Sequence, residues 1–172
     1  LNLAGRETCA PFPPVALALD GEVDALLEQQ PALAAEEVLR ERLAAGRTQD
    51  AEGGGASSGP QRSDLSVTHL GRQLPAAHCS TGEQKALLLS LVLAQSRLLA
   101  LDRGTPPLLL LDEVVAHLDA AHRRALFDQV LGLGAQAWMS GTEREPFAEL
   151  EGAADFFGVA DAQIVRQSPY TT

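Results

Sequence analysis

Two carboxylates stand directly after an apolar run, in the arrangement by which a buried strand delivers acids to a nucleotide. The run is Leu108 to Leu111, and Asp112 and Glu113 follow it at once. Hydrolysis of a nucleoside triphosphate needs one carboxylate to hold Mg²⁺ and another to position the attacking water. Because acids are also common where a strand simply meets solvent, the pair needs a second signal.

The second signal is a polar turn about one helix length upstream. Ser80, Thr81 and Gly82 open a long apolar segment, and such a turn points backbone N–H groups and a hydroxyl at a phosphate. Ser80 and Glu83 also match a capping box, which taken alone would be the better explanation. The two roles are compatible, because the same N–H groups can be capped when no nucleotide is present. Together the acid pair and the polar turn indicate a chain that binds a nucleoside triphosphate.

One part of a complete nucleotide site is missing from the sequence. A P-loop has the pattern GxxxxGK[ST], whose lysine reaches the β- and γ-phosphates. The chain has a single lysine, Lys85, which follows the STGEQ turn. We therefore predict that these 172 residues alone neither bind ATP tightly nor hydrolyse it. No lysine follows the glycine cluster from Gly53 to Gly59, which indicates a loop.

The composition is that of one ordinary domain. A chain of 172 residues that is 45% apolar can bury a sizeable core. Its formal net charge of −10 argues against a broad nucleic-acid face on this chain. Cys9 and Cys79 form no disulfide or metal pattern, which indicates a reducing, cytoplasmic setting. We expect no membrane-spanning segment, since Gln95, Ser96 and Arg97 interrupt the apolar stretch.

Hydrophobic periodicity predicts alternating strands and helices, and hence an α/β fold, in the C-terminal part. The strand before Asp112 is too apolar to be exposed on either face. We expect Trp138 to lie in the core, and the helix after Asp119 to direct Leu126, Phe127 and Val130 inward and Arg123 and Arg124 outward. The predicted strands are 15–20, 64–73, 108–111 and 136–140, with a hairpin at 156–165; the predicted helices are 22–30, an amphipathic 32–45 ended by Gly46, 81–100, 119–131 and 145–150.

Several motifs, in this order, resemble the C-terminal half of the bacterial RecF family of ABC-type ATPases, which are close to the head domains of SMC proteins. The resemblance covers nearly the whole chain. The motifs are GPQRSD at 59–64, STGEQK at 80–85, and LDE at 111–113 with Leu118 and Asp119; upstream, Arg47, Asp50, Gly54 and Gly59 fit the family's Arg-x-x-Asp-x-x-x-Gly stretch. Gln61 and Ser63 replace a family His and Asp, which leaves the roles of these two side chains open.

The resemblance implies a composite ATP site. Asp112 would bind Mg²⁺ as a Walker B aspartate, and Glu113 would polarise the attacking water. Ser80, Thr81 and Gly82 would form the signature turn, which contacts the γ-phosphate held by the P-loop of a second subunit. This arrangement implies an ATP-sandwiched homodimer. Asp119 would lie in the D-loop near the nucleotide and the partner subunit; an N-cap for the helix at Ala120 is an equally good explanation.

Four further side chains are candidates for a role in nucleotide binding, DNA binding or catalysis. The segment after the strand that follows Walker B has no switch histidine, unlike that of a transport cassette. Ser140 or Thr142 could sense the γ-phosphate through a hydroxyl, although a turn also explains each. Arg62 could contact nucleotide, DNA or another domain, or be an exposed turn residue. His117 is tempting as a catalytic histidine, but a lone loop histidine is more often solvated.

The function implied by the resemblance is that of a DNA-binding ATPase in recombinational repair, replication restart and the SOS response. An ATP-dependent dimer would act at single-strand/double-strand DNA junctions and, with RecO and RecR, promote RecA loading. Residues 1–46 would end a helical lever-arm domain, and 47–172 would form the C-terminal part of an ABC-type, P-loop NTPase fold without Walker A. The alternatives are a non-catalytic scaffold and a transporter nucleotide-binding cassette, against which the GPQRSD stretch and the absent histidine argue.

Overall fold

The computed structural model describes residues 2–6, 10–116 and 118–167, so that Cys9 and His117 lie outside the described residues. Between residues 81 and 139, helices and strands alternate in the α/β manner expected for the C-terminal part. The helices are α1 (Asn2–Arg6), α2 (Glu22–Gln29), α3 (Ala32–Gly53), α4 (Thr81–Arg103) and α5 (Ala120–Leu133). The strands are β1 (Val15–Asp20), β2 (Asp64–His69), β3 (Leu74–Pro75), β4 (Leu109–Leu111), β5 (Ala137–Met139), β6 (Phe156–Ala160) and β7 (Gln163–Gln167).

An antiparallel sheet of order β1-β2-β3 forms the first layer. The expected strand at 15–20 is confirmed, and Val15 lies opposite His69 in the register with β2. Beneath this sheet, Val15, Cys79 and Leu87 form a small buried cluster. Leu87 belongs to α4, so this cluster fixes the helix that carries the predicted signature turn against the first sheet.

The main core surrounds a pair of parallel strands, β4 and β5, which are connected through α5. Side chains from β4, α4 and α5 meet in this core, and the inward direction expected for Leu126, Phe127 and Val130 is confirmed. Arg123 differs from expectation: it is half-buried, and its guanidinium donates to the Leu118 carbonyl at 3.4 Å. The core also contains Leu89, Leu93, Leu109, Leu111, Val114, Val115 and Leu118.

The other face of this parallel pair is open, which corrects two expectations. Leu110 is 75% exposed and Trp138 is 55% exposed, although we expected the strand to be covered on both faces and Trp138 to lie in the core. The reason is the alternation of side chains along a strand: Leu109 and Leu111 face the helices, and Leu110 faces away. Trp138 stacks on Phe157 of the hairpin formed by β6 and β7, with ring centroids 6.5 Å apart.

The helix α3 is longer than its sequence suggested. It continues through Gly46 and ends at Gly53, where Gly54 adopts a left-handed backbone with φ of 75°. An interior glycine costs only about 1 kcal/mol relative to alanine, and the surrounding Ala, Arg and Gln residues favour helix. Its apolar side is only partly covered: Leu33 is 82% exposed, Val38 and Leu39 are half-buried, and Ala35 is buried. The proposed boundary at residue 46 therefore lies inside α3, while β1 before it pairs with β2 after it.

By length and composition alone, α4 is long and apolar enough to cross a membrane, which the polar residues at 95–97 did not lead us to expect; a single helix of this kind is weak evidence for a membrane span. Its apolarity has another explanation in the fold, because Leu87 packs in the small cluster and Leu89 and Leu93 pack in the main core. The predicted terminal hairpin is confirmed as β6 and β7, and the short helix at Glu145–Leu150 is a 3₁₀ helix.

Candidate nucleotide site

The strand β4 delivers Asp112 and Glu113 into a turn, Asp112–Ala116, which we call the acid turn. Because parallel strands end at the same edge of a sheet, Ser140 after β5 lies beside it. The Ser140 N–H donates to the Leu111 carbonyl at 3.1 Å. The Ser140 hydroxyl donates to the Asp112 carboxylate and accepts the Glu113 N–H at 2.9 Å. One hydroxyl therefore connects both predicted catalytic acids.

The backbone at Glu113 has a left-handed conformation, with φ of 48°. A non-glycine residue in this region costs about 1–3 kcal/mol and is held there by its surroundings. Val114 and Val115 provide the anchor, since they are only 3% and 7% exposed. The Glu113 residue itself is exposed. The turn thus buries its two valines and presents the carboxylate of Glu113 to the outside.

Lys85 is a residue whose role the sequence reasoning missed. Its ammonium nitrogen donates to the carbonyl oxygens of Glu113 and Ala116, at 2.7 Å each. A single lysine in an apolar helix could have drawn attention, but no sequence pattern predicts carbonyl groups 28 and 31 residues away as its partners. Lys85 therefore belongs to the acid turn, although the sequence places it next to the other motif.

The signature turn, Ser80–Gly82, opens α4 and is capped from within. The Ser80 hydroxyl accepts the Glu83 N–H at 3.4 Å, and the Glu83 carboxylate accepts the Ser80 N–H at 2.9 Å. The capping box predicted from Ser80 and Glu83 is thus confirmed. Arg72 forms an ion pair with Glu83. Thr81 and Gly82 are exposed, and a Cβ atom added at Gly82 would meet nothing within 4 Å.

Asp119 caps α5 and faces the signature turn. Its carboxylate accepts the His122 N–H at 2.8 Å and lies 2.9 Å from Nδ1 of the same residue. These hydrogen bonds from the His122 backbone and ring, in that order, hold the pKa of Asp119 below its ordinary value. The predicted N-cap is therefore present. One cleft joins the signature turn and Asp119, and it is lined by Ser80, Gly82, Glu83, Ala86, Leu118, Asp119 and His122.

The structure leaves two of the predicted residues outside these hydrogen bonds. Thr142 is exposed, and among the described residues Ser140 supplies the hydroxyl at the acid turn. Arg62 lies in a 3₁₀ helix, Pro60–Arg62, that packs against α2, and its Nε donates to the Ser57 carbonyl at 3.4 Å.

The two side chains that depart from the family pattern each donate a hydrogen bond within the fold. Gln61 donates to the Ser58 carbonyl at 3.0 Å, within the loop that leads into β2. Ser63 donates to the Asp24 carboxylate of α2. Both residues therefore shape the GPQRSD stretch and attach it to α2, which gives each a structural explanation.

The donor set at the acid turn suits Mg²⁺. Within residues 2–6, 10–116 and 118–167, no group of three or more His, Cys, Asp or Glu side chains is placed to hold a metal ion. Mg²⁺ nevertheless uses one or two carboxylates together with water and phosphate oxygens. Asp112, oriented by the Ser140 hydroxyl, is an exposed carboxylate of the type that would hold such an ion. The turn therefore fits an ion that is held mainly by a nucleotide.

Comparison with known proteins identifies sequence relatives of the chain. No protein-family model matches it. It is 48% identical over 155 residues to the DNA replication and repair protein RecF of Rhizobium etli, covering 90% of this chain and 41% of that protein. It is 47% identical over 154 residues to the protein of the same description in Brucella abortus, covering 90% and 40%. The chain thus spans about two fifths of the length of these relatives.

A solved structure of the recombination mediator protein RecF-ATPrS in the RecFOR pathway matches with a TM-score of 0.72 at 20% identity. The match covers 97% of this chain and 43% of that one, so the fold is that of part of an ABC-type, P-loop NTPase-like protein. By sequence over nine-tenths of its length, the chain corresponds to the C-terminal portion of the bacterial RecF family.

Proposed function

We propose that the protein carrying this chain is an ABC-type ATPase that binds DNA in recombinational repair and replication restart. The relatives at 48% and 47% identity carry the description of a DNA replication and repair protein. The observation that carries the proposal is the Ser140 hydroxyl after β5, which donates to the Asp112 carboxylate and accepts the Glu113 N–H at the end of the parallel strand β4. This is the arrangement in which a sheet presents acids to a nucleotide.

For the nucleotide bound to its own subunit, we assign Asp112 to Mg²⁺ and Glu113 to the attacking water. Mg²⁺, when bound, neutralises charge that develops on the phosphate oxygens. Ser140 orients the Asp112 carboxylate, and this contact makes it a better candidate for a phosphate-sensing hydroxyl than Thr142. Glu113 acts as general base, because its carboxylate is exposed while its backbone is fixed.

For the nucleotide bound to a partner subunit, we assign the signature turn and Asp119, which share one cleft. The N-terminus of α4 favours negative charge. Gly82 supports this assignment, because the fold leaves open space where its side chain would be and does not use it for a left-handed turn. A glycine without an internal purpose is expected where an external group approaches the backbone.

These assignments imply an ATP-sandwiched homodimer in the cytoplasm. We propose that the dimer acts at single-strand/double-strand DNA junctions and, with RecO and RecR, promotes RecA loading. The structure described as RecF-ATPrS in the RecFOR pathway supports this choice of partners. Because the chain has a net charge of −10, DNA contacts must be local, and Arg62 is an exposed candidate for a nucleotide, DNA or domain contact.

The proposed ATPase activity is tested first in the complete protein and then in this chain alone. We expect the complete protein to hydrolyse ATP with Mg²⁺, and Asp112→Asn to impair nucleotide binding in the presence of Mg²⁺. Asp102→Asn, a change at an exposed residue near the end of α4, is the matched control. A complete protein without Mg²⁺-dependent hydrolysis, or one indifferent to Asp112→Asn, would contradict the proposal and favour the scaffold alternative.

We expect no ATPase activity from the 172 residues alone, because the single lysine is engaged with two carbonyl groups and no P-loop is present. Mg²⁺-dependent hydrolysis by the purified chain that Glu113→Gln abolishes would disprove this. In the complete protein, Ser80→Arg should spare ATP binding but prevent ATP-dependent dimerisation, as measured by light scattering. A Ser80→Arg protein that still dimerises with ATP would rule out the sandwich.

A further inference from the structure

Lys85 physically connects the two motifs. It lies one helical turn beyond the signature turn, on α4, and its ammonium nitrogen donates to the carbonyl oxygens of Glu113 and Ala116 at 2.7 Å each. An ammonium group has three donors, and two of them are directed to this one turn. Hydrogen bonds from a charged donor are roughly twice as strong as neutral ones. The contact is therefore strong enough to hold the acid turn against α4.

The consequence for Glu113 is a backbone fixed on both sides. Its N–H donates to the Ser140 hydroxyl at 2.9 Å. Its carbonyl accepts both the Lys85 ammonium and, at 3.2 Å, the Ala116 N–H. The left-handed φ of 48° persists only where several contacts impose it. Removal of the ammonium takes away the contact that comes from α4 and leaves those from β5 and from the turn itself.

We propose that Lys85 is a positioning residue that couples the signature turn to Glu113. The inference rests on the proposed function, in which the signature turn contacts the partner's nucleotide and Glu113 serves its own. Because α4 is a continuous helix, a displacement of its first turn on contact with the partner's phosphate is transmitted to Lys85 and from there to the Glu113 carbonyl. Occupancy of one site thereby promotes catalysis at the other.

The first test is the kinetics of Lys85→Met in the complete protein. We expect kcat for ATP to fall about tenfold or more, since a small misplacement of a catalytic group has effects of up to about a hundredfold. We expect KM to change less than about threefold, because Lys85 is assigned no contact with the nucleotide. Lys85→Arg should restore most of kcat, because it keeps a cation that can donate to two carbonyl groups.

Arg72→Met is the matched control. It removes a cation that pairs with Glu83 at the same end of α4 but makes no described contact with the acid turn. Values of kcat for Lys85→Met within about threefold of those for Arg72→Met would overturn the proposal. A rise in KM at unchanged kcat would overturn it as well, because it would indicate a nucleotide contact.

Hydrogen exchange provides a second readout that needs no ATPase activity. The amides of Ala116 and Leu118 donate to Glu113 and Val115 carbonyls within this loop, at 3.2 Å each. Without nucleotide, they should exchange faster in Lys85→Met than in Arg72→Met. Equal rates would overturn the coupling. If the wild-type complete protein hydrolyses no ATP, the proposed function fails, and these exchange rates alone decide whether Lys85 holds the acid turn.

Discussion

The acid turn and the signature turn differ in where their partners come from. The acid turn is held by two residues distant in sequence, Ser140 after β5 and Lys85 of α4, and by the burial of its own two valines. The signature turn is completed by its own neighbour, Glu83, and leaves open space at Gly82. One half of the proposed site is therefore fixed by the fold of this chain, and the other is folded but open to a group from outside.

The largest effect is expected when the proposed catalytic carboxylate of the acid turn is removed. Glu113→Gln in the complete protein should lower the ATP turnover number about 10²–10⁴-fold, the usual contribution of a general base. ATP binding should persist, because the side chain is exposed and its backbone contacts remain. Single-turnover hydrolysis and nucleotide binding measure the two separately. Glu143→Gln, at an exposed acid in the same region, should leave turnover unchanged.

The second prediction concerns the two hydroxyls near the acid turn. Ser140→Ala should destabilise the fold by about 0.5–1.5 kcal/mol, because the Glu113 N–H loses its acceptor and the Asp112 carboxylate loses its donor. Thr142→Ala should stay within about 0.5 kcal/mol, as expected for an exposed position. Chemical denaturation of the two variants side by side provides the measurement. Equal losses of stability would mean that the acid turn is not held from β5.

The third prediction concerns Gly82 in the signature turn. Gly82→Ala should leave the fold unchanged or stabilise it by up to about 1 kcal/mol, because alanine favours helix and nothing lies within 4 Å of the new methyl group. The same change should weaken ATP-dependent dimerisation of the complete protein. Thermal unfolding and light scattering measure the two effects. Loss of stability without loss of association would show that the glycine serves the fold.

The smallest predicted effect is on pH dependence. The pKa of Asp119 is lowered in the folded state, mainly by the hydrogen bond from the His122 N–H. The Asp119 carboxylate therefore stabilises α5 fully above its pKa in the unfolded state, near pH 4. This stabilisation is lost as the pH falls through the lower pKa of the folded state. Asp119→Asn keeps a capping side chain but cannot titrate.

We expect the wild-type unfolding temperature to fall further than that of Asp119→Asn between pH 5 and pH 2. Parallel pH profiles of the two proteins would contradict a role for the Asp119 carboxylate in capping α5. Circular dichroism melts across this pH range provide the measurement.

Local rules were sufficient to predict several parts of the fold. Alternation placed β1 at 15–20, the Ser80 and Glu83 spacing predicted the capping box, and the apolar run before Asp112 predicted β4. These features depend on neighbours within a few residues, which a sequence displays directly. The acid pair and the signature turn were recognised for the same reason.

The parts that were not predicted depend on distant neighbours. Lys85 contacts a turn 28 residues away, and no spacing rule encodes that pairing. Trp138 and Leu110 were expected to be buried because apolar strands in parallel sheets are covered on both faces. Apolar side chains on a strand favour burial, but their hydrophobicity does not show which segment of the chain would pack on them. In the described chain, Leu110 and Trp138 remain exposed.

The central claim is that the acid turn of one subunit works with the signature turn of another. The direct measurement is the ATPase activity of a mixture of two inactive complete proteins, Glu113→Gln and Gly82→Asp. The second change fits the open space, suits the N-terminus of a helix, and opposes a phosphate by charge. Random pairing makes half of the dimers mixed, each with one intact composite site. We therefore predict turnover above the sum of the two separate variants and at most about a quarter of the wild-type value, because the subunit that supplies Glu113 to that site carries Gly82→Asp in its own signature turn. Activity no greater than the sum of the two separate variants would contradict the account.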